Sequence, residues 1–226
     1  PTRTEEFDYE KAFAEQGQGL VFLRASAGGG SGFSCGSGFL LTQDGCIITC
    51  RHVVENAESV KVRLRIPGRS GGDVSWHAAR ILKLSKETDL ALLKIDVLRY
   101  PALPMRPATV ETEIGEAIYH MGYPFGTALS DNADELRPSL FQGHVSSIQT
   151  KQGHVRINTD MAAKRGCSGG PVFSRKDGTV IGILCGSQTQ GEDGLTEEIN
   201  FVLPAGYIWE EMTEKTPGTR KEEASE

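Results

Sequence analysis

Three side chains in this chain have the types and settings that acyl transfer needs. Ser168 sits in Arg165-Gly166-Cys167-Ser168-Gly169-Gly170-Pro171, His52 in Arg51-His52-Val53-Val54, and Asp89 opens the run Asp89-Leu90-Ala91-Leu92. A serine hydroxyl is a poor nucleophile until an imidazole takes its proton. The imidazole in turn needs a carboxylate to set its tautomer and stabilise its charged form. The glycines around Ser168 permit a tight turn and let a carbonyl oxygen approach the N–H groups of Gly166 and Ser168, which makes that pair the expected oxyanion hole. The competing reading of Gly-Cys-Ser-Gly-Gly-Pro is an ordinary turn leading to a strand at Val172, since glycine, serine and proline collect in turns for reasons unrelated to catalysis.

His52 and Asp89 weigh against the plain turn, because each stands at the end of a strand-like run where rigid backbone can aim a side chain. The order His52, Asp89, Ser168 resembles that of the chymotrypsin-like serine proteases, and the HtrA-like branch in particular. The resemblance covers most of the chain, from about Gly19 to Ile208. Gly36-Ser37-Gly38-Phe39-Leu40-Leu41 with Asp44-Gly45 is similar to the strand and turn that precede the histidine of that family, and His52-Val53-Val54 to its histidine box. Gly122-Tyr123-Pro124-Phe125-Gly126 resembles its Gly-x-Pro-x-Gly loop, Thr159-Asp160 its approach to the nucleophile, and Asn200-Phe201-Val202-Leu203-Pro204 its closing strand.

The resemblance implies an all-β fold of two antiparallel six-stranded barrels with the active site in the cleft between them. It also implies a serine endopeptidase that needs no cofactor and no metal. It makes Ala162, six residues before Ser168, the floor of the pocket for the residue preceding the scissile bond. With no carboxylate there, the expected preference is for small or medium apolar side chains. Leu184, Cys185 and Gly186 are expected to pair with the substrate backbone as an added strand. In the family it resembles, loops at the place of the polar loop 127–138 order or disorder the oxyanion hole, which implies a resting state; a plain surface loop is the equal alternative. A catalytically resting, protein-binding or chaperone-like module on the same fold is the alternative.

Two departures stand out. Cys167 replaces the asparagine usual before the serine, and Lys164 and Arg165 make the approach basic. A cysteine nucleophile at Cys167 fails on register, because the Gly-x-Ser-Gly-Gly frame puts Ser168 in the attacking position. The front of the chain has no Ile-Val-Gly-Gly-type start, so activation by a new amino terminus is not expected. No PDZ pattern follows the protease region.

The elements that must position these residues are mostly strands. Residues 59–66 alternate, with Val60, Val62, Leu64 and Ile66 on one side and Lys61, Arg63 and Arg65 on the other, the period of a half-buried strand. With 20–24, 38–41, 46–49, 77–84 and 90–95, they build a first barrel within 16–100. The prolines at 101, 104 and 107 mark a linker, 101–114. Strands at 117–121, 140–150, 155–160, 171–174, 180–186 and 199–203, with a closing helix over 205–212, build a second barrel within 115–212. Residues 1–15 read as a helical segment capped by Thr4, whose Phe7, Tyr9 and Phe13 either pack on the chain's own barrel or meet a neighbouring chain of a homo-oligomer or larger multidomain assembly. Residues 213–226 read as a charged tail.

The length, 226 residues, suits one large two-barrel unit. A net charge of −6 gives no electrostatic footprint for nucleic acid or an anionic membrane, so the expected partners are protein or peptide substrates. Five cysteines cannot all pair internally, and that odd number suggests a reducing, cytoplasmic location. Cys35, Cys46, Cys50 and His52 lack the tight pair of a zinc site. His77, His120, His144 and His154 have no His-Val-Val setting and read as structural. Asp96 follows its apolar run instead of opening it, and Asp160 reads as a loop brace.

Overall fold

The computed structural model describes residues 7–28, 32–66, 74–129, 132–190 and 196–213. Among the described residues, twelve strands close into two antiparallel barrels. The first orders β1 (Leu20–Ser26), β2 (Phe33–Leu40), β3 (Cys46–Thr49), β6 (Ala91–Lys94), β5 (Val74–Leu84) and β4 (Ser59–Arg65). The second orders β10 (Pro171–Ser174), β11 (Val180–Gln190), β12 (Thr196–Pro204), β9 (His154–Thr159), β8 (Ser139–Lys151) and β7 (Ala117–Gly122). Closure removes the open edges that so many strands would otherwise present. The β8–β9 hairpin turns through Gln152 and Gly153 with φ of 55° and 82°. Two consecutive positive φ values match the right-handed twist of the strands on either side.

The apolar alternation of β4 places Val60, Val62 and Leu64 in the core. Arg63, expected on the solvent side, is only 1% exposed. Residues 132–137 from the second half of the chain lie over it, and its Nη2 donates to the carbonyls of Asp134 at 2.6 Å and Leu136 at 2.9 Å. Trp76 Nε1 donates to Asp134 Oδ1 at 2.7 Å, so the described part of the loop expected at 127–138 is docked on the first barrel.

Helix α1 (Tyr9–Gln16) starts later than the sequence suggested. Its cap is Asp8, whose carboxylate accepts from the Lys11 N–H, while Thr4 lies outside the described residues. Phe7 and Tyr9 pack on Tyr119 of β7 with ring centroids 5.1 and 6.0 Å apart, and Tyr119 Oη donates to Gln16 Oε1. Phe7, Tyr9 and Phe13 therefore pack against the chain's own core. The expected closing helix is a short α3 (Ala205–Tyr207) that widens into a π-type turn over Ile208–Thr213. Between the barrels, the Val180 N–H donates to Pro104 O and the Arg106 N–H to Val180 O, an arrangement that laces the proline-rich segment to β11. No helix among the described residues is long and apolar enough to cross a membrane.

Candidate active site

His52 lies on α2 (Arg51–Val54), the single turn that follows β3, and Asp89 stands just before β6. Strands β3 and β6 are hydrogen-bonded neighbours, with Thr49 opposite Ala91, so the residues that leave their ends together are brought side by side. Asp89 Oδ2 lies 2.6 Å from His52 Nδ1, and Asp89 Oδ1 accepts the His52 main-chain N–H at 2.9 Å. The carboxylate thus holds both the ring and the backbone that carries it. Burial in the cleft favours the neutral ring. The hydrogen bond that the Asp89 carboxylate accepts from the ring, its charge and that of Glu55 outweigh this and raise the His52 pKa above its ordinary 6.5.

Ser168 precedes β10 and faces the same cleft of about 680 Å³ as His52, together with Gly166, Gly186 and Asn200. The approach to Ser168 is a type II turn. The Cys167 N–H donates to Lys164 O at 3.0 Å and Gly166 has φ +89°, the conformation this turn demands at its third position. The Arg165 carbonyl accepts the Phe125 N–H at 2.6 Å. The carbonyl and N–H of one trans peptide point in opposite directions, so this bond turns the Gly166 N–H away from Phe125. Among the described residues neither the Gly166 N–H nor the Ser168 N–H has an acceptor within the chain, and Ser168 Oγ makes no hydrogen bond.

Two residues that the sequence reading left without a role brace this turn. Ser37 of β2 donates through Oγ to Gly166 O at 2.7 Å, accepts the Tyr123 N–H at 2.9 Å, and donates its own N–H to Ser168 O at 2.9 Å. Its only signal in the sequence is the Gly-Ser-Gly run. Asn200 lines the cleft and donates through Nδ2 to Ala163 O at 3.0 Å; nothing local marks it.

The expected substrate contacts are placed unevenly. Gly186 lines the cleft. Leu184 and Cys185 have side chains sealed in the core, and the main-chain groups of Leu184 are taken by Gly169 and Gly170. Ala162 is exposed and outside the cleft lining, whereas Lys164 and Arg165 lie within it. The other histidines sit elsewhere. His120 is fully buried, with Nδ1 2.9 Å from Pro171 O, and burial drives its pKa down to about 4. His144 donates its main-chain N–H to Asp160, and His77 Nε2 meets Ser75 Oγ.

A family model described as a trypsin-like peptidase domain matches residues 36–183, a span that includes His52, Asp89 and Ser168. The chain belongs to the trypsin-like peptidase family. As a trypsin-like peptidase domain it is 32% identical over 184 residues to a probable periplasmic serine endoprotease, DegP-like, of Pseudomonas fulva, a match covering 80% of this chain and 35% of that protein. It therefore spans about a third of the length of such relatives. The fold superposes on an HtrA-type protease, AlgW, solved with a tripeptide, with a TM-score of 0.71 and 25% identity over 91% of this chain and 62% of that one. A serine endoprotease from Yersinia pestis shares the fold at a TM-score of 0.69 and 23% identity, covering 92% of this chain and 66% of that one.

The DegP-like relatives of this peptidase domain are described as periplasmic, which overturns the cytoplasmic location expected from cysteine parity. Parity is a poor guide because pairing depends on which thiols meet in space. Cys50, Cys167 and Cys185 are buried, whereas Cys35 and Cys46 are partly exposed.

Proposed function

We propose that this domain is a serine endopeptidase acting on protein or peptide substrates, in which Ser168 is the nucleophile, His52 the general base and acid, and Asp89 the group that orients His52. The observation that carries the reading is the short Asp89–His52 contact opening onto the same cleft as a serine on a positive-φ glycine turn. His52 Nε2 takes the proton of Ser168 as Oγ attacks the peptide carbonyl. The N–H groups of Gly166 and Ser168 receive the developing oxyanion. His52 then returns the proton to the leaving amine, and water, activated the same way, releases the acyl group from Ser168.

The specificity expected is for small or medium apolar residues before the scissile bond. Asn200 supplies no carboxylate for a basic side chain, and Lys164 and Arg165 on the cleft wall repel one. The edge at Gly186 offers backbone for strand addition. Regulation through the loop follows from its connections. Residues 132–137 rest on Arg63 and Trp76, and Phe125 near the loop's start holds the Arg165 carbonyl, so a partner that displaces the loop would also turn the Gly166 N–H.

A fluorophosphonate probe read by intact mass tests the assignment. One adduct is expected on the folded chain and none on Ser168→Ala or His52→Ala. Folded protein that takes up no label, alone or with unfolded protein added as trigger, would favour the binding module instead. Gly166→Ala probes the oxyanion turn, since a Cβ there would lie 2.5 Å from the Tyr123 carbonyl oxygen at a φ hostile to side chains. A loss of about 10²–10³ in kcat with little change in KM is expected from peptide-cleavage kinetics.

A further inference from the structure

Behind the Asp89–His52 pair lie two thiols for which the mechanism above has no use. Cys50 stands between β3 and α2, two residues before His52, and belongs to the first barrel; Cys185 is on β11 of the second. Both are fully buried, and their sulfurs are 3.1 Å apart. Non-bonded carbons rest about 3.5–4.0 Å apart, and sulfur is the larger atom, so the two thiols are in closer contact than packing alone requires. A carboxylate oxygen of Asp89 and the two sulfurs all lie within 4.8 Å of one another.

We propose that Cys50 and Cys185 form a disulfide that staples the first barrel to the second immediately behind Asp89. One thiolate attacks an external disulfide such as oxidised glutathione, forming a mixed disulfide and releasing one glutathione thiol. The other thiolate displaces the second glutathione, so the two cysteine thiols are oxidised and one glutathione disulfide is reduced to two thiols. Full burial and raised pKa values make both groups poor nucleophiles once the barrels have docked. The exchange therefore belongs to folding, before the interface closes. The periplasm named for the DegP-like relatives is an oxidising compartment that supports such chemistry.

The cysteines are 135 positions apart, so the bond closes a long loop and removes much of the unfolded chain's freedom. It also removes two weak S–H donors from the surroundings of Asp89. The full chain is refolded from denaturant with a reduced/oxidised glutathione mixture in one arm and with a phosphine reductant in the other. The oxidised arm is expected to weigh two hydrogens less, to carry no glutathione, and to yield one linked peptide containing Cys50 and Cys185 in a non-reducing digest. Its unfolding midpoint should lie about 10 °C above that of the reduced arm, a gap absent in Cys50→Ala and in Cys185→Ser, either of which serves if the other folds poorly. Recovery of both as free thiols from the oxidised, folded chain, or their pairing with Cys35, Cys46 or Cys167, overturns the proposal. None of these readouts uses peptidase activity, so the staple and the proposed function fail separately.

Discussion

Asp89→Asn is expected to lower kcat/KM by about 10⁴, some 5.5 kcal/mol of transition-state stabilisation, with the fold retained. The size of the effect follows from which atoms face the carboxylate. The His52 main-chain N–H at Oδ1 can only donate, so it claims the amide oxygen of an asparagine. The amide NH₂ is then left facing His52 Nδ1. That nitrogen must accept, which puts the ring proton on Nε2, where it blocks uptake of the Ser168 proton.

The pH profile checks the same pair independently. In the unaltered chain Asp89 and Glu55 raise the His52 pKa against the burial that lowers it. Activity needs the neutral ring, so kcat/KM should rise with pH through a value above 6.5. In Asp89→Asn that acid limb moves to lower pH, because the charge favouring imidazolium is gone. A limb in the unaltered enzyme lying below 6.5 would sink the pairing as the basis of activity.

Glu116→Gln is expected to destabilise the fold by about 3–5 kcal/mol, because it strands the Arg106 guanidinium in the interior. The two side chains are 5% and 1% exposed and meet through two hydrogen bonds, 3.0 and 2.5 Å long, and Ser174 Oγ adds a third to the carboxylate. The pair sits where the inter-barrel segment joins β7, and Trp209 of the closing turn donates to the Arg106 carbonyl at 3.2 Å. Denaturant melts read the loss directly. The double variant Arg106→Met with Glu116→Met, which leaves no charge unpaired, should recover most of it.

Acid titration supplies the sign. Burial alone would raise the Glu116 pKa. The bonds from Arg106 and Ser174 and the charge of Arg106 override it and hold the carboxyl at about 2, against an ordinary 4.5. A depressed folded-state pKa contributes stability that is fully present above 4.5 and is lost as the pH falls toward 2. The stability gap between the original chain and Glu116→Gln is therefore expected to hold at neutral pH and to close across that window.

The amino-acid sequence by itself determined the parts whose causes are local. Alternation in 59–66 marks a strand because successive side chains point to opposite faces, and the glycine before Cys167 marks a turn because few other residues accept φ near +90°. The polar residues at the ends of apolar runs were legible for the same reason: a run of Ile, Leu and Val ends where its backbone leaves the sheet. The two-barrel fold was readable from these segments together with the motif order.

Other features depend on register and closure between residues a hundred or more positions apart, and only the tertiary structure decided them. Arg63 alternates like a solvent-facing residue and is buried because a distant loop supplies two carbonyls to its guanidinium. Ser37 looks like one member of a glycine-rich strand, yet it ties the nucleophile turn to Tyr123. Leu184 reads as a substrate edge, but barrel closure spends its backbone groups on Gly169 and Gly170. Cys50 and Cys185 form an odd count with three others until docking of the barrels puts their sulfurs in contact. Chain-local sterics operate over a few residues and leave a pattern in the sequence. A contact between β3's end and β11 exists only once both barrels have closed, and no single segment encodes it.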